Sequence, residues 1–337
     1  MDAFLRKELR KQDYIPHASS IMQYHRCRRK WGLGQIYTPL TEHKALTFGT
    51  AFHEALELHF SKGLGGPPSA VLREYNLEEE EFQLLDHMYN YFVDHWLEAP
   101  ENSFYKNLKF LETEQEFEVE VNEDVKLAGR IDAIVEDEYG RLWVLDYKTR
   151  SMLQGEAAFD TDIQMSIYAL AAVRMGYAVE GVIVLQFLKK EPKGLRVLKN
   201  GSYSTAKNQR VSPLIVRKQL EGEDPQGYEE FLRYDPDEDP FIRAVQTHRT
   251  VQNLERTQQY VVAHHREVAL LLDRYISFVP NFTRDCSWDC PFRAVCMAYE
   301  DGYDWEDILR GSFVSKVIPL EEVTGSRLYQ EMEQGLI

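Results

Sequence analysis

Apolar residues recur along this chain at two periods, and the switch between them divides it. Residues 17–62 carry helical spacing. The Ser19-Ser20 hydroxyls suit an N-cap ahead of Ile21, Tyr24 and Trp31, and Leu46 to Phe60 repeats apolar positions three and four apart. Gly63-Leu64-Gly65-Gly66-Pro67-Pro68 reads as a breaker loop, without the Gly-Lys-Ser/Thr ending of a phosphate loop. A further helix, acidic at its start, is expected over 77–97. The pattern then becomes extended over 117–121, 125–136 and 142–147, with turns at Asn122-Glu123-Asp124 and Glu138-Tyr139-Gly140. A helix over 162–175 precedes a nearly continuous apolar run, Val179 to Leu188, that reads as a buried strand. A long helix is expected over 241–276.

Strand, strand, strand, helix, strand with helical flanks predicts an α/β fold, a mixed central sheet flanked by helices. Four segments follow: 1–100, helical; 101–240, the core with a charged insertion; 241–300, a helix and cysteine lobe; and 301–337, a tail of unassigned role. The insertion is basic from Lys189 to Lys218 and then acidic over 221–239. Such runs are usually solvated surface, but a basic one can line a nucleic-acid channel.

Composition narrows the class further. The 337 residues are 44% hydrophobic and 28% charged, as in a globular protein, and no apolar run is long enough to span a bilayer. The charged start, Met1-Asp2-Ala3-Phe4-Leu5-Arg6-Lys7-Glu8, lacks a signal-peptide stretch, so a cytoplasmic location is expected and no membrane partner. The net charge of −16 argues against a protein that coats DNA non-specifically, though not against one basic groove.

Two acids stand inside otherwise apolar strands: Asp132 in Gly129-Arg130-Ile131-Asp132 and Asp146 in Asp146-Tyr147-Lys148. A short hairpin turn separates them, so both can lie on one face, and period-two alternation puts Lys148 on the face of Asp146. Paired carboxylates bind Mg²⁺ or Mn²⁺, and a lysine beside them can position water or neutralise charge growing on a phosphodiester. For Asp-x-Lys alone, a cross-strand salt bridge is the simpler reading, and it is the second strand acid one hairpin earlier that brings the metal-binding reading level with it.

Three of the four cysteines, Cys286, Cys290 and Cys296, fall within eleven residues, and Cys27 lies far upstream. Four thiolates match the ligand number of tetrahedral zinc or an iron–sulfur cluster. A zinc ribbon calls for a second close pair near Cys27, which is missing, whereas iron–sulfur clusters accept three close ligands and a remote one. Zinc stays the alternative occupant.

Gly-Arg-Ile-Asp followed by Asp-Tyr-Lys resembles the PD-(D/E)XK nuclease superfamily, in its branch of RecB-like and CRISPR-associated iron–sulfur exonucleases. Phe48-Gly49-Thr50-Ala51-Phe52-His53 resembles that branch's Gly-x-x-x-His helix, and Gln164-Met165-Ser166-Ile167-Tyr168 its Gln-x-x-x-Tyr motif. The cysteines resemble its iron–sulfur staple, with a helical upstream cysteine, although the first close spacing holds three residues where two are usual. The resemblance spans about 19–298.

It implies a restriction-endonuclease-like core, with Asp132, Asp146 and Lys148 catalytic and with metal held by His53, Asp132, Asp146 and the backbone carbonyl of Tyr147. Gln164 and Tyr168 would contact substrate, although Thr161-x-x-Gln164 is also a capping-box pattern. Cys27, Cys286, Cys290 and Cys296 would hold a [4Fe–4S] cluster that ties distant parts of the chain together. Arg28 and Lys30 belong to a candidate DNA-backbone patch beside it. The expected activity is a Mg²⁺- or Mn²⁺-dependent deoxyribonuclease acting as an exonuclease at single-stranded ends, in recombination, repair or CRISPR-type adaptation. A non-catalytic DNA-binding subunit of a larger helicase–nuclease or defence complex is the alternative. A protein partner would dock on the acidic segment or the tail.

Overall fold

The structure, a computed structural model, describes residues 1–40, 44–62, 73–75, 77–98, 107–233, 235, 239–287 and 290–316. The expected breaker at 63–68 and most of the tail lie outside the described residues. In chain order the elements are α1 (Asp2–Leu9), α2 (Ala18–Arg26), α3 (Arg28–Ile36), β1 (Tyr37–Pro39), α4 (Lys44–Lys62), α5 (Glu79–Glu98), β2 (Lys109–Glu120), β3 (Lys126–Glu136) and β4 (Leu142–Arg150). Then follow α6 (Ala157–Asp160), α7 (Ile163–Arg174), β5 (Val179–Leu188), α8 (Pro213–Gln219), β6 (Ile242–His248), α9 (Val251–Leu272), α10 (Arg293–Glu300), α11 (Trp305–Ser312) and β7 (Phe313–Ser315). No helix among the described residues is long and apolar enough to cross a membrane.

The chain divides into two compact units. One comprises Met1–Glu42, Glu120–Ala128 and Gln259–Ile337; the other comprises His43–Val119 and Gly129–Gln258. Cys27 therefore belongs to the first unit and His53 to the second.

The second unit is organised by a five-stranded mixed sheet of order β2-β3-β4-β5-β6. The β3–β4 pair is an antiparallel hairpin, and β4 and β5 run parallel, so α6 and α7 supply the crossover a parallel pair requires. Central position explains the continuous apolar run of β5, of which nine of the ten residues are buried. On one side the sheet meets α4, whose Phe48, Ala51, Phe52, Ala55 and Leu56 follow helical spacing into the core with Trp143, Leu145 and Tyr147 of β4.

The β3–β4 turn is closed by one side chain. Asp137 is 5% exposed. It accepts hydrogen bonds from the backbone N–H groups of Tyr139 and Arg141, both 2.9 Å, from Arg141 Nε at 2.7 Å and from the indole Nε1 of Trp143 at 3.1 Å. Burial alone would raise its pKa, but these donors outweigh burial and hold it below the ordinary value.

The helix expected over 241–276 is instead two elements. Residues 242–248 form β6, antiparallel to β5, and the helix starts only at Val251. Phe241 and Val245, four apart, fit helical spacing as well as strand alternation, and the pairing partner decides between them. Gly181 of β5 permits the close approach, because a Cβ there would lie 2.1 Å from the Thr247 carbonyl oxygen. A small lobe grows from the β5–β6 connection around its own core of Leu195, Val211, Val216, Leu220 and Phe231.

In the first unit, Leu5, Tyr24, Trp31, Leu33 and Ile36 pack with Val268, Leu271, Phe278, Phe292 and Leu309. The expected helical stretch from residue 17 breaks at Cys27, whose extended backbone ends α2 and begins α3, and again at β1. The hydroxyls assigned to the cap of α2 do not cap it. Ser20 is buried instead, where its Oγ accepts from Trp31 Nε1 at 2.8 Å.

Candidate functional site

The pleat of β4 sends Trp143, Leu145 and Tyr147 into the core and presents Asp146 and Lys148 on the opposite face. There Lys148 Nζ donates to Asp146 Oδ1 at 2.9 Å, as alternation predicts. Asp146 is 1% exposed, and its second oxygen, Oδ2, is buried without a hydrogen-bond partner. A buried carboxylate oxygen without a protein donor is costly unless it meets a cation, so this oxygen suits a metal ligand.

On the neighbouring strand the ladder runs from Glu136 opposite Leu142 to Ala133 opposite Leu145. One residue further, the Asp132 carboxylate takes the Tyr147 N–H at 2.7 Å. The same oxygen lies 3.5 Å from His53 Nδ1. His53 projects from α4 at the margin of the helix's apolar stripe, and its ring meets that of Tyr147 edge-on.

A fourth group was not foreseen from the sequence. One ligand atom each of His53, Glu114 and Asp132 lie within 4.8 Å of one another. Glu114 sits in β2 with φ +47°, a left-handed conformation rare for a residue with a side chain and common at functional sites. Arg130 Nε braces its carboxylate at 2.6 Å, which gives the arginine of Gly-Arg-Ile-Asp a structural task. In the sequence Glu114 is one of five alternating acids, 112, 114, 116, 118 and 120, and only the backbone conformation singles it out. A cavity of about 470 Å³ opens onto this group, lined by Gly49, Thr50, His53, Glu57, Glu114, Arg130 and Thr149 among others.

Charges at the site are strongly coupled. Burial pushes Asp146 up to about 6, against the pull of Lys148. For Asp132 burial acts upward too, but His53 and the Tyr147 N–H reverse it and hold the group below its ordinary value. Burial would lower His53 and Lys148; the facing carboxylates outweigh it and hold both above their ordinary values. Glu114 rises to about 7, through burial first and the Asp132 charge second.

A family model described as the PD-(D/E)XK nuclease superfamily matches residues 18–297, most of the chain. The chain belongs to the PD-(D/E)XK nuclease superfamily. Among curated proteins none matches. The chain is similar to the crystal structure of SSO0001, with 16% identity and a TM-score of 0.34, over 87% of this chain and 94% of that one.

PD-(D/E)XK nucleases use divalent metal ions, and the residues present fit one. Hard oxygen ligands from two carboxylates, Glu114 and Asp132, converge beside an imidazole, and Asp146 Oδ2 has no hydrogen-bond partner. The other residues expected in this PD-(D/E)XK site fall as follows. Gln164 and Tyr168 share a face of α7, with Gln164 Nε2 donating to Tyr168 Oη at 2.9 Å. The cap of α7 is Asp162, whose Oδ1 takes the Gln164 N–H, so Thr161 forms no capping box and the Gln164 amide is turned to Tyr168. Tyr168 is close enough to Asp146 and Lys148 for their charges to act on its hydroxyl.

The four cysteines all belong to the first unit, and none is in a disulfide. Cys27 Sγ accepts the backbone N–H groups of Lys30 and Asn281, both at 3.4 Å, and the Cys286 thiol donates to the Asn281 carbonyl at 3.7 Å. Burial raises the Cys290 pKa, and Cys27 and Cys286 add to the rise, which places these sulfurs in electrostatic reach of one another. The neighbouring guanidinium groups have carboxylate partners: Arg26 with Asp285, Arg28 with Glu267 and Arg29 with Glu300.

Proposed function

We propose that this PD-(D/E)XK protein is a Mg²⁺- or Mn²⁺-dependent deoxyribonuclease that removes nucleotides from single-stranded DNA ends. The observation that carries the reading is the buried Asp146–Lys148 contact, with one oxygen of Asp146 left unpartnered beside the His53–Glu114–Asp132 group. His53, Asp132, Asp146 and the Tyr147 carbonyl would hold the metal, and Glu114 joins them as a fifth candidate. A bound Mg²⁺ or Mn²⁺ supplies activated water and stabilises charge on phosphodiester oxygens. Lys148 presents a fixed positive charge to the scissile phosphate and is itself held in place by Asp146. His53 keeps Asp132 ionised and aimed, and Tyr147 N–H fixes the same carboxylate from the other side. Gln164 and Tyr168, oriented by their mutual hydrogen bond, position the terminal nucleotide. The preference for ends and for DNA rests on the resemblance to RecB-like exonucleases.

In the first unit, Cys27, Cys286, Cys290 and Cys296 would hold a [4Fe–4S] cluster as a staple between distant segments. Two backbone N–H groups donate to Cys27 Sγ, as suits a sulfur held in place as a cluster ligand. Iron and acid-labile sulfide in anaerobically purified protein, lost in Cys290→Ser, would bear this out; stoichiometric zinc without iron would replace it.

End-labelled linear single-stranded DNA tests the activity, with circular single-stranded DNA alongside and Lys148→Ala as the comparison. Metal-dependent loss of label from linear DNA alone, absent in the variant, is the expected result. Equal attack on circles would make the protein an endonuclease. Inert but folded, cluster-loaded protein would leave it a DNA-binding subunit.

A further inference from the structure

The connection between β5 and β6 leaves and re-enters the sheet beside the end of the catalytic strand. Its first residue, Lys189, donates its N–H to the Arg150 carbonyl at the end of β4, and Leu188 N–H bonds the Phe241 carbonyl at 2.8 Å to close its base. In sheets with parallel strands, ligands collect at the carboxyl ends of those strands, and Lys148 and Thr149 stand at this one. The lobe that grows from here is thus attached at the site's own end of the sheet.

Its outer element is a β-hairpin. Val197 bridges Tyr203, Leu198 N–H bonds Ser202, and the Leu198 carbonyl takes the Gly201 N–H across a Lys199-Asn200 turn, with Gly201 at φ +85°. The hairpin is braced from behind: the Gln219 side chain clamps the Leu195 N–H and carbonyl, and Tyr228 Oη donates to the Tyr203 carbonyl. A braced hairpin has no evident use for an exposed apolar tip, yet Val197 is 59% and Leu198 38% exposed.

Cations in and next to the hairpin are unpaired among the described residues. Arg196, Lys199 and Arg210 are exposed and form no ion pair among the described residues, whereas Lys193 pairs with Glu191 and Lys207 with Glu230. Of the acids that follow, Glu229 takes the Gly227 N–H and Asp224 the Gln226 N–H. A braced hairpin with exposed apolar side chains, with Arg196 and Lys199 in the same hairpin and Arg210 next to the Gln209 that takes the Arg196 N–H, is complementary, in a chain of net charge −16, to a polyanion that also offers apolar faces. Nucleic acid has both.

We propose that the 196–204 hairpin is a second nucleic-acid site, at which Arg196, Lys199 and Arg210 hold phosphates of the single strand leading to the metal site while Val197 and Leu198 pack against a base. The inference rests on the nuclease reading for the direction of the strand, but not for binding itself.

The test is fluorescence anisotropy of a labelled oligothymidylate with full-length protein in Ca²⁺, across a salt series. Each phosphate contact to a single strand contributes about 0.7 to the slope of log K against log salt. The variant Arg196→Ala/Lys199→Ala/Arg210→Ala should therefore lose about 2 from that slope and bind at least about tenfold more weakly at low salt. Val197→Ser/Leu198→Ser should weaken binding with the slope unchanged. All five side chains are exposed, and circular dichroism and thermal melting confirm that the variants fold. Unchanged affinity and slope in both variants would overturn the proposal. A wild type that binds with a steep slope but never cuts sinks the nuclease reading alone, and one that cuts while the variants bind as wild type sinks the hairpin alone.

Discussion

Removing the Asp137 carboxylate should destabilise the hairpin that carries Asp132 on one strand and Asp146 on the other. Four donors meet that group, but they do not weigh equally. The N–H groups of Tyr139 and Arg141 belong to an exposed turn and can be rehydrated, so their loss costs about 1 kcal/mol together. Trp143 is fully buried, and its indole N–H has no route to water, which costs about 1–3 kcal/mol. Asp137→Ala should therefore lower unfolding free energy by about 2–4 kcal/mol, and Asp137→Asn, which keeps an acceptor but not the charge, by about half as much. Because the folded pKa lies below the unfolded value, the unfolded chain binds the proton first on acidification. The contribution is complete above the unfolded value and is lost as pH falls through the folded one. Urea denaturation at pH 7 and at pH 3 measures both effects. A change below about 0.5 kcal/mol for Asp137→Ala at pH 7 would refute the reasoning, since the Trp143 N–H would then have found water or another acceptor.

Three further outcomes are expected. His264 is 1% exposed and its pKa is driven down to about 3 by burial, so between 6.5 and that value the unfolded chain alone takes up the proton. Stability should thus fall on acidification, by about 2 kcal/mol at pH 5, and His264→Gln should flatten that dependence in thermal melts. Glu114→Gln should weaken Mn²⁺ binding by at least about tenfold in calorimetric titration while leaving the fold intact; an unchanged affinity would remove Glu114 from the ligand set. Gly181→Ala drives a methyl into the Thr247 carbonyl of β6, so it should cost about 3 kcal/mol or block folding, and a wild-type melting curve would contradict the strand pairing.

How much of this was legible in advance varies with the kind of information each feature needs. Asp146 and Lys148 could be placed together because strand alternation is a local rule. Asp132 followed because a short turn fixes its register against them. Glu114 could not be picked out, since its neighbours Glu112, Glu116 and Glu118 share its spacing and only a backbone torsion separates it from them. Phe241 and Val245 fit two periods, and the pairing with β5, close at Gly181 some sixty positions earlier, decides between them. Cys27 was expected inside a helix, but nothing local shows that its sulfur would take the next helix's N–H and so interrupt the run. What was missed in each case is non-local or torsional, and a hydrophobic pattern encodes neither.

The first unit is assembled from pieces at opposite ends of the chain, Met1–Glu42 and Gln259–Ile337, with a short middle segment. During synthesis this has a consequence in time. After residue 42 emerges, more than two hundred further residues must be added before its packing partners exist, a delay of about 10–40 s at ordinary elongation rates. Throughout that interval Leu5, Trp31 and Leu33 have no core to enter and the Cys27 thiol has none of its three companions. The other unit can close first, because all but its last strand is made by residue 188. The nascent chain thus holds open an apolar, thiol-bearing half while the half with the Asp132–Asp146 hairpin is already shaped.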